Sequence, residues 1–291
     1  CFSQRIINCF CTNNFINKLL NEKNLMTRAE TFTKYFLGFL TIFVVIALYA
    51  PIVLTIFYSF YKTRKGKVDW ESFSYEPYTK LIFEKQILES LVNSVYVGLV
   101  TVVFSVLIGF YFANYYHTHK GKMKEFLQFV IFLPFLLPPI ISGLALLIFF
   151  REVGLPRSLN TVVIGHTIFV LAIVYKIILN KLETLKPSLM ESAYDLGANK
   201  LQAFWYVLLP NIKLSLVIAG LLAFTISLDE TLITLFLIGD DTTWPIKLWA
   251  KMRVGFSKQV NASVTLILIL TTTLVLLIAW IISKSEKKIM Y

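Results

Sequence analysis

Apolar and polar positions in this chain are segregated into long blocks, without the two-residue or three-to-four-residue alternation of half-buried soluble elements. Six apolar blocks are long enough to be read as helices crossing a hydrocarbon core about 30 Å thick. They are Tyr35–Phe60, Leu91–Tyr115, Phe126–Phe150, Thr161–Ile178, Leu214–Ile238 and Val264–Ile282. Pro51 predicts a kink in the first. Pro134, Pro138 and Pro139 require the third to bend or break where a neighbour or a cavity takes up the freed carbonyls, the behaviour of a helix that lines a pathway. The polar stretch Lys62–Glu89 reads as an exterior loop whose Trp70, Phe73, Tyr75 and Tyr78 lie at a membrane surface, and Gly239–Ala262 reads as another loop. The expected fold is an all-α integral membrane protein with six transmembrane helices.

Between the fourth and fifth blocks the periodicity changes to that of short surface helices. Pro187 suits a first helical turn, Leu189, Ala193 and Leu196 recur at helical spacing, and Gly197 falls where a left-handed residue stops the helix. Asn199 is placed to cap a second helix carrying Leu201, Phe204 and Leu208 on one side, until Pro210 turns the chain toward the bilayer. Two short helices with apolar knobs and few charges need a groove to fill, and a soluble partner is the natural source of one; the plainer alternative is a surface hairpin with no partner.

The string Glu191-Ser192-Ala193, with Gly197 following and Pro210 closing, resembles the EAA loop of the membrane subunits of ATP-binding-cassette importers, Ser192 replacing one small residue by another. That resemblance implies a type I importer permease. Its cytoplasmic loop 187–212 docks on a separate ATPase, present in two copies, through Glu191, Ala193, Leu196, Gly197, Ala198, Phe204 and Pro210. ATP and magnesium are then bound by the partner, and this chain carries no cofactor.

Composition agrees with the membrane reading: 57% of the 291 residues are hydrophobic and the mean hydropathy is +0.70. The formal charge of +11 sits in short connections, where lipid headgroups and orientation account for it without nucleic acid. All three cysteines, Cys1, Cys9 and Cys11, lie near the start, so the body of the chain holds no disulfide or thiolate metal site. A lipidated Cys1 would need a removed signal. Met26 followed by Thr27-Arg28-Ala29-Glu30 resembles the usual beginning of a permease, which makes 1–25 a candidate upstream extension. The organisation expected is a tail over 1–34, a transmembrane domain over 35–283 and a second tail over 284–291. Lys and Arg are in slight excess on the side of the termini; the resemblance, which puts the loop in the cytoplasm, puts both termini there too, in a bacterial inner membrane.

Asp229 and Glu230 interrupt the fifth block, and adjacent carboxylates in an apolar run demand solvent, a cation or a partner. From Leu214 to Asp229 the rise is about 22 Å, which puts the pair in the outer part of the core. Successive helix positions point about 100° apart, so one acid faces a pathway and the other caps or pairs; Asp229 is the candidate for the pathway, with Glu230 close behind. The alternative is that the helix simply ends there among headgroups. Ser227-Leu228-Asp229-Glu230, Pro245–Trp249, Val254–Ser257 and Val260–Ala262 are similar to the second permease of spermidine/putrescine importers. This resemblance implies a sister permease, an extracytoplasmic binding protein and a polycation substrate, with Ser227, Asp229, Glu230 and Trp249 along its route. Trp244 and Trp249 suit either an ammonium group or the interface. His166, alone at the start of the fourth block, reads as hydrogen-bonded packing.

No Gly-x-x-x-x-Gly-Lys-[Ser/Thr], His-Glu-x-x-His or Gly-x-Ser-x-Gly string occurs, so the sequence offers no phosphate cradle, zinc site or nucleophile elbow and points to a non-enzymatic subunit. Two other functions stay open: a permease of the same class for iron, an oxyanion or an amino acid, and a secondary transporter using Asp229 and Glu230 as an ion relay.

Overall fold

The computed structural model describes residues 2–64, 67–119, 121–254 and 257–289, with side chains described between 31 and 276 apart from 63, 64, 82, 120, 254–256 and 274. The three cysteines, the lysines after 283 and the Gly255-Phe256 pair fall outside these side chains. The chain divides into two units, Cys1–Tyr58 and Ser59–Tyr291.

The first unit is one helix, α1 (Phe2–Phe60, running into the second unit), whose Thr31–Phe60 part is long and apolar enough to cross a membrane. Pro51 lies within it, and Thr55 Oγ1 donates to the Pro51 carbonyl at 2.8 Å.

In the second unit the polar stretch 62–89 is built rather than irregular. Strands β1 (Lys62–Arg64) and β2 (Lys67–Asp69) pair antiparallel, a 3₁₀ turn follows over Trp70–Ser72, and α2 covers Glu76–Phe83. Phe60, Phe73, Tyr75 and Tyr78 form a ring cluster with centroids 5.0–5.8 Å apart. Trp70, Phe73 and Tyr75 keep much of their surface exposed, as interfacial aromatics do.

Four further helices follow before the predicted coupling segment: α3 (Lys85–Thr118), α4 (Lys122–Leu136), α5 (Pro139–Glu152) and α6 (Leu159–Thr184). The third predicted span is two helices, α4 and α5, bent by 108° at Leu137-Pro138. Proline chemistry explains the corner: Pro138 has no N–H to give the Pro134 carbonyl, and Ser142 Oγ takes that carbonyl up at 3.1 Å. Helix α6 is the hub. It begins with a Ser158–Thr161 capping box, and Val162, Ala172, Val174, Tyr175 and Ile178 on it are almost wholly enclosed.

The remaining elements are α7 (Ser188–Asp195), α8 (Lys200–Ala203), a π-helical turn over Phe204–Leu208, α9 (Leu209–Asp229), α10 (Leu232–Leu237), α11 (Trp244–Val254) and α12 (Lys258–Ile289). Among the described residues, four helices are long and apolar enough to span a membrane, or five with α4 and α5 taken as one span. The sixth predicted span, Val264–Ile282, lies on α12, whose side chains are described only as far as Leu276.

Three sequence expectations are corrected. The fifth predicted span, Leu214–Ile238, is not one helix: it stops at Asp229, and a short helix follows. Pro210 does not turn the chain; α8 runs through the π turn into α9, and Lys200–Asp229 is one apolar span. The wide turn accommodates the missing N–H of Pro210, since Leu209 N reaches back to Phe204 O and Asn211 Nδ2 donates to Val207 O at 2.7 Å. Gly239–Ala262 is not all loop, because α11 occupies part of it. Asn93 Nδ2 donates to Thr242 O at 3.0 Å and Trp244 N to Ser94 Oγ at 2.8 Å, fixing its start on α3, while Lys251 pairs with Glu84 at 3.1 Å. Lys258 at the head of α12 donates to the carbonyls of Phe60 and Ser72, and burial, then the charge of Lys62, lowers its pKa.

Candidate translocation site and coupling elbow

The site grows from the broken end of α9. A helix C-terminus leaves carbonyls without intrahelical donors and carries the negative end of the macrodipole, so an acid at that point is repelled unless a cation or water faces it. Asp229 is the last helical residue, is exposed, and has no side-chain hydrogen bond or ion pair among the described residues. Glu230 is spent differently. Its Oε1 accepts from Leu232 N at 2.9 Å and Ile233 N at 3.1 Å, covering the orphan donors of α10, where negative charge is favoured. The two adjacent carboxylates therefore differ in availability: one is a cap and the other is free.

The short helix that Glu230 caps is held by close backbone approach. A Cβ on Gly143 of α5 would stand 2.9 Å from the Phe236 ring and 3.1 Å from Ile233 Cα, so α10 lies where only glycine leaves room. Gly143→Val is expected to cost about 1–3 kcal/mol through overpacking, read as a lower thermal midpoint of the detergent-solubilised protein. An unchanged midpoint would mean that α10 moves aside freely.

Ser227 is 4% exposed and bonds to His166, so it lies inside the helix packing, two residues before the free carboxylate and on roughly the opposite side of α9. Trp249 is half-buried on α11, with the Arg253 guanidinium 3.9 Å from its ring centroid, so this chain's own cation occupies an indole face. Trp244 is buried beside Leu81, Ile87 and Ala262. The structure thus brings Ser227, Asp229 and Glu230 together at one helix break and sets Trp249 on a separate element. Among the described residues, no group of three His, Cys, Asp or Glu could hold a metal ion.

Over the predicted coupling segment, α7 is followed by a left-handed turn and by α8, which runs on toward α9 instead of ending at Pro210. Gly197 has φ +83°, and Ala198 N donates to Ala193 O at 3.0 Å while Gly197 N donates to Tyr194 O at 2.9 Å, the double closure of a Schellman motif. Asn199 and Gln202 form a reciprocal capping box at 2.8 and 2.9 Å. Ala193 and Ala203 face inward, Phe204 packs on Phe110 with centroids 5.7 Å apart, and Ala198 is half-buried. Glu191 and Pro210 are exposed, and Leu196, at 89% exposure, projects from the elbow as an uncovered apolar knob with Leu201, Trp205 and Tyr206 nearby in sequence.

Residues 105–291 match the family described as the binding-protein-dependent transport system inner membrane component. The chain belongs to this family. Among relatives, it is 28% identical over 256 residues to the spermidine/putrescine transport system permease protein PotC of Haemophilus influenzae, covering 87% of this chain and 99% of that protein. It is 31% identical over 251 residues to the putrescine transport system permease protein PotI of Escherichia coli, covering 83% and 88%. In fold it is similar to a chain of a bacterial ABC transporter involved in the import of the acidic polysaccharide alginate, with TM-score 0.65 at 14% identity over 82% of this chain and 91% of that one. A chain of the MetNI methionine ABC transporter in an inward-facing conformation gives TM-score 0.58 at 19% identity, covering 74% and 99%. Family membership accounts for an inner-membrane transport component with several apolar helices.

Proposed function

We propose that this chain is a permease subunit of an ATP-driven importer for polyamines, spermidine or putrescine. The observation that carries the reading is the free Asp229 carboxylate at the negative end of α9, which offers a cation site at the end of the uncharged run 214–228. Similarity to two polyamine permeases supports that choice over the acidic or neutral solutes of the structural neighbours. Six spans with both termini in the cytoplasm form half of the pathway, and a sister permease forms the other half. Two copies of an ATPase act on the elbow at 187–212, and an extracytoplasmic binding protein delivers the substrate.

The test is uptake of labelled putrescine and spermidine by cells with and without this chain. ATP-dependent uptake that is lost with the chain and survives an uncoupler is the expected result. Uptake that persists without ATP and collapses with the uncoupler would make the protein a secondary transporter. Uptake of iron, an oxyanion or an amino acid in place of the polyamines would move it to another branch of its family.

A further inference from the structure

His166 is fully enclosed and touches the site from behind, with its two ring nitrogens on two different elements. Nδ1 lies 2.8 Å from Ser227 Oγ on α9, and Nε2 lies 2.8 Å from Thr234 Oγ1 on α10. Counting protons fixes the direction of both bonds. Thr234 Oγ1 has one proton, and it goes to the Glu230 carbonyl at 2.8 Å. Toward His166 this oxygen is therefore the acceptor, so Nε2 carries the ring proton and Nδ1 accepts from the Ser227 hydroxyl. One chain of bonds runs from Ser227 through the imidazole and Thr234 to the backbone of Glu230. Its ends lie two residues before and one residue after Asp229.

We infer that His166 is a positioning residue for substrate binding: from the rigid helix α6 it ties α9 to α10 across the break and so fixes where the Asp229 carboxylate points. Ser227 acts through the imidazole and not on the substrate. All three side chains are buried, with 1%, 4% and 0% exposure for His166, Ser227 and Thr234, so the bonds face no competition from water. The inference rests on the proposed role of Asp229.

Thr234→Val keeps the shape and removes only the hydroxyl, which makes it the cleanest probe. In cells carrying the complete transport system, with membrane levels matched, Thr234→Val is expected to raise the apparent KM for labelled putrescine about tenfold, a misplaced-site effect, and to leave the maximal rate within about twofold. Thr234→Ser restores the KM, and Ser227→Ala, at the other end of the chain, raises it as Thr234→Val does. An unchanged KM in Thr234→Val, a fall in maximal rate alone, or a Thr234→Ser variant as impaired as the valine would overturn the inference. Asp229→Asn in the same assay separates the two levels. A defect there with normal Thr234 and Ser227 variants removes only the role of His166, whereas normal uptake removes the cation site and this inference with it.

Discussion

Asp229→Asn is expected to raise the apparent KM for putrescine or spermidine about a hundredfold, and at low substrate to reduce uptake to background. The amide keeps the size and hydrogen-bonding capacity of the side chain and loses the charge. A desolvated ammonium left without its counter-charge costs about 2–5 kcal/mol, and each 1.4 kcal/mol is about tenfold. Glu230→Gln supplies the contrast. Its carbonyl oxygen can still accept from Leu232 N and Ile233 N, so the cap on α10 survives and uptake is expected to stay within about threefold of the parent. Equal sensitivity of the two positions, measured with labelled substrate over a concentration series, would refute the division of labour between them.

The second large effect is expected at the elbow. Gly197 sits at φ +83°, a conformation that costs a β-branched residue well over the 1–2 kcal/mol or so of an ordinary side chain. Gly197→Val therefore unwinds the Schellman closure and swings α7 away from α8, leaving the membrane helices unaltered. The expected phenotype is uptake reduced at least about tenfold with normal membrane levels, and a nucleotide-binding subunit that no longer co-purifies in mild detergent. Recovery of the intact complex with full uptake would mean that the angle between the two helices is of no consequence to the motor.

How far each feature was legible depended on the range of the physics behind it. Gly197 and Asn199 announce themselves because a left-handed stop and a capping box are decided within four residues. A capping role for one of Asp229 and Glu230 is an expectation drawn from an unbroken helix; the helix instead ends at Asp229, and Glu230 caps α10 from extended backbone. Reading a single span from Leu214 to Ile238 failed because hydropathy averages over a break that two carboxylates impose. Helix α11 was missed for a related reason: Lys247, Lys251 and Arg253 make it look like a loop, and its stabilising partners, Gln86 and Glu84, lie more than 160 residues away. His166 reads in the sequence as hydrogen-bonded packing, but its partners are 61 and 68 residues distant, beyond any local pattern. In the sequence Leu196 stands on the same footing as Ala193, and the structure separates them into an uncovered side chain and a buried one.

The wide turn at Phe204–Leu208 sets the phase of everything on either side of it. On a regular helix Ala203 and Ile212, nine positions apart, would point about 180° away from each other; with one residue absorbed in the turn they are offset by about 80°, and both are wholly enclosed. Deleting a single residue there would leave the two eight positions apart on a regular helix, with the same offset of about 80°, so the contact face would keep its alignment and only the wide turn would be lost.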